Sequence, residues 1–147
     1  MSEMNEPVFM SLDAEVGGYQ KAIELAKETL YIFKKQIEHL SHGDFACVKF
    51  YIPESKESLD GANIWLMRPF FEDGFCYAKP FELPKEFVLI QVGRWLKFAE
   101  TDLLDWYILS EQGKMQGGYS LRYQRSQLSD DKKDEFDQHI GISKYID

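Results

Sequence analysis

The feature that most constrains the fold is a stripe of apolar residues that recurs every three or four positions over residues 19–40. Its members are Tyr19, Ile23, Ala26, Leu30, Phe33, Ile37 and Leu40. This spacing predicts one long amphipathic helix, because residues three and four apart share a helix face. The stripe spans only about three heptads, too few to favour a coiled coil, so we expect the helix to pack on a sheet.

After Gly43, which suits the end of this helix, the apolar period changes to two, as in a half-buried strand. Residues 45–52 are the first predicted strand. Residues 64–71 and 75–78 predict a hairpin around Asp73-Gly74, a favoured two-residue turn. Pro69 within the first arm indicates an edge strand or a bulge.

Further strands are predicted at residues 86–92 and 94–98, which are rich in apolar residues. A second hairpin is predicted from residues 103–109 and 118–124, with its turn at Gly113-Lys114. In that register Trp106 belongs to the core face of the hairpin.

The opposite face of the second hairpin is polar, and its register places Asp105 opposite Arg122, with Tyr107 and Ser120 beside them. Two interpretations are open. The pair is either a cross-strand ion pair, worth only about 0–1 kcal/mol when exposed, or part of a ligand-binding site formed by Tyr107, Ser120 and Arg122.

Residues 129–139 predict a short helix that ends before Gly141. With 147 residues the chain fits one domain. We therefore predict an α+β fold over residues 13–147, preceded by a flexible segment at residues 1–12. A long N-terminal helix packs on a curved antiparallel sheet of about five to seven strands, followed by a short C-terminal helix.

The net charge of −8 is concentrated in two base-free segments, residues 1–18 and 100–111. The sequence offers no basic face for nucleic acid. It also has no apolar run long enough for a membrane span and no basic secretory start, so we expect a cytoplasmic protein. The second acidic segment predicts a binding surface for a basic protein partner, formed by Glu100, Asp102, Asp105 and Glu111.

The residues predict no catalytic group, metal or cofactor. Cys47 and Cys76 are isolated, which favours reduced, partly buried thiols over a zinc or redox motif. His39 and His42 could reach a metal only with ligands that sequence spacing does not supply, so we interpret them as solvent-facing residues near a helix end.

Two motifs carry a resemblance to a known family: Asp105-Trp106, and Gly117-Gly118-Tyr119-Ser120-x-Arg122. With the preceding helix and strands, residues 20–141 resemble the bacterial YegJ-like family of domains of unknown function. Ala62-Asn63, residues 77–80 and Gly93-Arg94 differ from what that family commonly has. The resemblance implies no activity and, through gene neighbourhoods, a link to toxin–immunity systems.

Three functional hypotheses follow. The first is a non-enzymatic binding protein, such as an immunity-type inhibitor of a basic toxin. The alternative is a small-molecule-binding domain or small enzyme with a pocket beside Asp105 and Arg122. The third is self-association as a homo-oligomer, through the long helix or an unpaired strand edge.

Overall fold

The computed structural model describes residues 7–55 and 60–147, and side chains from residue 17 onward. Within these residues, the α-helices are α1 (Pro7–Glu28), α2 (Leu30–Gln36), α3 (Tyr119–Ser126) and α4 (Asp130–Ile140). The strands are β1 (Phe45–Pro53), β2 (Gly61–Glu72), β3 (Phe75–Pro80), β4 (Leu96–Ala99), β5 (Asp105–Leu109), β6 (Lys114–Gly117) and β7 (Lys144–Ile146). The predicted flexible segment lies partly outside the described residues, and its mobility stays a prediction.

The seven strands form one open sheet in the order β4-β3-β2-β1-β5-β6-β7. All neighbours are antiparallel except β6 and β7, which are parallel. The predicted α+β class and the range of strand number are confirmed. The C-terminal part differs from the prediction, because it holds two helices rather than one.

The predicted long helix is present but interrupted at Thr29, between α1 and α2. The Thr29 hydroxyl donates a hydrogen bond to the Leu25 carbonyl at 2.7 Å and accepts one from the Trp106 indole N–H at 3.1 Å. Threonine hydroxyls that bond to the preceding turn compete with regular helical bonding. The interruption at Thr29 is therefore hydrogen-bonded to Trp106, a residue of β5.

From Ala26 to Ile37, the apolar stripe of the helices packs on one face of the sheet, as its period predicted. Ala26 and Phe33 are fully buried there with Val48 and Trp106. The rings of Phe33 and Trp106 stack with 4.8 Å between centroids. This core holds α1 and α2 against β1 and β5.

The first hairpin is confirmed. Glu72 pairs with Phe75 across Asp73-Gly74, whose φ values of 52° and 83° suit a type I′ turn. The β2–β3 register shifts between Met67 and Phe70, which confirms the irregularity that Pro69 predicted.

The strand predicted at residues 86–92 is wrong, because those residues form turns and irregular backbone. Phe87 is buried and Ile90 packs against the core, while Val88 is 73% exposed. The apolar run therefore covers the core with two side chains instead of pairing in the sheet. The neighbouring strand predicted at residues 94–98 is present as β4, paired with β3.

The second hairpin is only half correct. Strand β5 pairs with β6 so that Tyr107 lies opposite Gly117. Gly117 and Gly118 then adopt φ values of 75° and 67°, and the chain enters α3. The strand predicted at residues 118–124 is therefore wrong, and so is the cross-strand pair of Asp105 with Arg122. Two successive left-handed glycines end the strand, an event that apolar periodicity does not reveal.

The C-terminal helix is confirmed as α4, bounded by Ser129 and Gly141. Arg125 of α3 donates two hydrogen bonds to the Asp137 carboxylate of α4, at 2.9 and 3.0 Å. The Tyr145 hydroxyl donates a third at 3.0 Å. Asp137 thus connects α3, α4 and β7.

We predict that Gly117→Ala destabilises the protein by about 3 kcal/mol, of which roughly 1 comes from the positive φ and the remainder from overpacking. A Cβ there would lie 2.5 Å from the Trp106 carbonyl oxygen and 2.6 Å from its ring. The matched control is Gly74→Ala, which has a similar φ but would meet no atom of the described residues within 4 Å. Urea unfolding measures both. Equal losses would contradict the close packing of Gly117 on Trp106.

We also predict that the Arg125–Asp137 pair makes stability depend on pH. Burial raises the pKa of Asp137, but hydrogen bonds from Arg125 and Tyr145 outweigh it and hold the pKa below its ordinary 3.8. The stabilisation is therefore present above that value and lost as pH falls through the folded-state pKa. Unfolding from pH 6 to 2 should show a steeper acid loss in the wild type than in Asp137→Asn. Exposed Asp134→Asn should follow the wild type, and identical slopes for all three would refute the role of Asp137.

Candidate functional site

The candidate site is built around Asp105, the first residue of β5, which is fully buried. Its Oδ1 accepts hydrogen bonds from the backbone N–H groups of Trp106 at 2.8 Å and Tyr119 at 3.2 Å. Its Oδ2 accepts from the Ser120 backbone N–H at 2.8 Å and from the Ser120 hydroxyl. A strand residue thus caps the first turn of α3, whose N–H groups have no partner within the helix.

The environment of Asp105 has opposing effects on the pKa of its carboxyl group. Burial raises the pKa of the carboxyl above its ordinary value. The hydrogen bonds from Ser120 and Trp106 and the positive charge of Lys49 oppose this effect without cancelling it. The positive end of the α3 dipole also favours the carboxylate form.

Lys49 lies on β1 directly across from Asp105 in the sheet and is only 9% exposed. Its ammonium group donates to the Ser120 hydroxyl and to the Tyr19 hydroxyl, each at 3.0 Å. It also lies 5.2 Å from the ring centroid of Trp65 and 5.3 Å from that of Tyr19. Among the described residues, no carboxylate lies within ion-pair distance of this ammonium.

A cavity of about 660 Å³ opens beside these groups, between α1 and α3. Lys49, Ser120 and Tyr19 line it together with Tyr123 and Leu128. The remaining lining residues are the glutamines Gln20, Gln124 and Gln127. We call this space the Lys49 cavity. Its described lining residues carry one formal positive charge and no negative one.

Close contact between α1 and α3 shapes this cavity. Gly18 of α1 faces the Tyr123 ring so closely that a Cβ at Gly18 would overlap it. Gly17, one residue earlier, has open space around it within the described part of the chain. Gly18 therefore lets Tyr123 lie beside α1 and form part of the cavity wall.

Of the three predicted ligand-binding residues, the structure places Ser120 on the Lys49 cavity and the other two elsewhere. Tyr107 is buried against Trp65, with 4.7 Å between ring centroids. Arg122 donates to the carbonyls of Gly117 at 2.8 Å and Ile146 at 2.7 Å. Arg122 thus fastens β7 to the start of α3, and its guanidinium does not face Asp105 as the predicted pair required.

The four acids predicted to bind a partner do not form one surface. Asp105 is buried, while Asp102 and Glu111 are exposed beyond opposite ends of β5. Glu100 forms an ion pair with Lys34 at 2.9 Å. Partner binding by Glu100, Asp102 and Glu111 stays a prediction, and its support remains the sequence charge.

Sequence reasoning missed Lys49, Tyr19 and the glutamines of the cavity. The available signal was Lys49 itself, because it is the one charged residue within residues 45–52, an otherwise apolar strand. A lysine with apolar residues on both sides is unusual, because lysine is mostly found on exposed surfaces. Tyr19 gave no such signal, since it belongs to the apolar stripe of α1.

Other reactive side chains are sequestered. Cys47 and Cys76 are free and buried, and burial raises the pKa of each thiol to about 12. Within the described residues, no group of three or more His, Cys, Asp or Glu side chains is placed to hold a metal ion. None of the helices described here has the length and apolar character of a membrane span.

We predict that Asp105→Asn destabilises the protein by about 2–4 kcal/mol. All four groups that contact the carboxylate are donors, so the amide NH₂ of asparagine would leave a buried N–H without an acceptor. The matched control is Asp102→Asn, an exposed acid expected to change stability by under about 0.5 kcal/mol. Urea unfolding followed by tryptophan fluorescence measures both. A change below 0.5 kcal/mol at position 105 would exclude a capping role.

A family model described as an uncharacterized protein conserved in bacteria (DUF2314) matches residues 17–144, which include every residue of the Lys49 cavity. No curated protein matches the sequence, and no solved structure matches it. The expectation of a bacterial family of domains of unknown function is confirmed, while the narrower YegJ-like assignment and its motifs stay a prediction. The chain belongs to the DUF2314 family of uncharacterised proteins conserved in bacteria.

Proposed function

We propose that this protein is a binding protein whose Lys49 cavity holds a small molecule with an anionic group, such as a carboxylate or a phosphate. The observation that carries the proposal is the Lys49 ammonium, which is almost buried at a cavity wall and hydrogen-bonded to two hydroxyls. A nearly buried cation that pairs with no carboxylate of the described residues favours binding of an anion.

Two proton donors remain for such a ligand. Lys49 uses two of its three N–H groups on Tyr19 and Ser120. The Tyr19 oxygen accepts from Lys49 and from the Asn63 amide at 3.1 Å, which leaves its own proton to be donated. An anionic oxygen that accepts both would form charge-assisted hydrogen bonds, the strong class in proteins.

The other walls suit the uncharged body of a small molecule. Gln20, Gln124 and Gln127 offer amide donors and acceptors, and Tyr123 and Leu128 offer apolar surface. A volume of about 660 Å³ lies within the usual range of ligand pockets. The proposal keeps the small-molecule alternative from the sequence but relies on Lys49 beside Asp105 instead of Arg122 beside Asp105.

The proposal predicts charge-selective binding that depends on Lys49. Benzoate should bind at least tenfold more tightly than neutral benzamide in NMR titrations of the wild type. The Lys49→Met variant should lose this preference, because a charged hydrogen bond contributes about 1.5–3 kcal/mol.

The matched control is Lys97→Met. Lys97 is a strand lysine outside the cavity that also lies over an aromatic ring, 4.1 Å from the Phe75 centroid. This variant should bind benzoate like the wild type. Equal benzoate affinity in the wild type and in folded Lys49→Met would overturn the proposal.

A further inference from the structure

A second cavity adjoins the Lys49 cavity. It encloses about 430 Å³. Its apolar lining consists of Ile64, Trp65, Phe81, Leu83 and Pro84, and its polar lining of Asn63 and Glu82. We call it the Trp65 cavity. The walls of both cavities are mostly apolar, but the indole of Trp65 and the ring of Phe81 line this one, whereas the ammonium group of Lys49 lines the other.

Two contacts join the cavities. Lys49 and Trp65 are cross-strand neighbours of β1 and β2, and the ammonium lies 5.2 Å from the Trp65 ring centroid. Asn63, on the wall of the Trp65 cavity, donates to the Tyr19 hydroxyl on the wall of the Lys49 cavity at 3.1 Å. The boundary between the cavities therefore includes Lys49 and Tyr19, the two side chains that offer donors to an anion.

One aromatic neighbour packs directly on the Trp65 ring. Tyr107 packs against it with 4.7 Å between centroids and an interplanar angle of 61°. Phe81 packs on Phe45 with 5.5 Å between centroids. Trp65 is partly exposed and lines the open space beside these rings. A fixed, partly exposed indole in an apolar cavity is a suitable surface for a planar apolar group.

We propose that the two cavities form one composite site for an aromatic carboxylate or a related aromatic anion. The anionic group binds Lys49 and Tyr19, and the aromatic body extends past the Tyr19–Asn63 contact to pack against Trp65 and Phe81. This inference rests on the proposed function, because the anionic end occupies the Lys49 cavity. It adds a ligand class, which the charge of Lys49 alone does not specify.

A series of carboxylates of increasing aromatic size tests the inference: acetate, benzoate and 2-naphthoate. In NMR titrations of the wild type, affinity should rise at least tenfold from acetate to 2-naphthoate, since each added ring buries apolar area. Trp65→Leu should remove most of this gain, measured within that variant as the ratio of 2-naphthoate affinity to acetate affinity. Lys49→Met should weaken all three carboxylates together.

The matched control is Trp95→Leu. Trp95 is an exposed tryptophan outside both cavities. The Lys79 ammonium lies 4.6 Å from its ring centroid, a contact similar to that of Lys49 with Trp65. This variant should retain the full gain from acetate to 2-naphthoate. If Trp65→Leu fails to fold, Phe81→Leu is a second variant of the same cavity. It should also reduce the rise in affinity from acetate to 2-naphthoate.

The outcomes separate the two proposals. If affinity depends on Lys49 but not on aromatic size, or if folded Trp65→Leu and Phe81→Leu both keep the gain, the composite site is refuted and the anion-binding function stands. If no carboxylate binding depends on Lys49, both proposals fail. A gain that requires Trp65 and a charge preference that requires Lys49 together support the composite site.

Discussion

The rest of the site depends on the hydrogen bonds that the Asp105 carboxylate accepts from the start of α3. Asp105 lies at the start of β5 and caps the first turn of α3, so a single buried acid joins sheet and helix. The same carboxylate accepts the Ser120 hydroxyl proton, and the Ser120 oxygen in turn accepts from Lys49. Removal of this acid would therefore disturb the helix start and the position of the lysine together.

The neighbour of Asp105 connects this site to the opposite face of the sheet. Because successive strand residues point to opposite faces, Trp106 enters the main core while Asp105 faces α3. The Trp106 indole stacks on Phe33 and donates to Thr29, where the N-terminal helix is interrupted. Two adjacent residues of β5 thus link α1, α2 and α3 through one strand.

Those parts of the fold that sequence reasoning predicted correctly are governed by local patterns. The apolar stripe of α1 and α2, the Asp73-Gly74 turn and the Ser129 and Gly141 boundaries of α4 depend on residues close in sequence. The predictions at residues 86–92 and 118–124 failed because other contacts decided the outcome. At residues 86–92 the apolar run does not pair in the sheet, and Val88 is exposed to solvent. At residues 118–124 the carboxylate of Asp105, which is distant in sequence, stabilises the first turn of α3.

The candidate site could be predicted only in part, for the same reason. Asp105 and Ser120 were correctly placed near each other, but through a strand that is in fact a helix. Lys49 and Tyr19 come from β1 and α1, which are distant in sequence. They meet because β1 lies beside β5 in the sheet and because α1 packs against α3. No sequence spacing encodes that meeting.

The electrostatic arrangement explains how an acidic chain can offer a site for an anion. The net charge of −8 acts at long range and is screened by salt over roughly 10 Å. In the proposed site, by contrast, Lys49 would act on a ligand at hydrogen-bond distance, and its ammonium lies beside the Tyr19 and Trp65 rings. Ser120 separates this ammonium from Asp105, since its hydroxyl bonds to both. The carboxylate therefore holds the lysine in position through Ser120 without occupying the donor that a ligand would use.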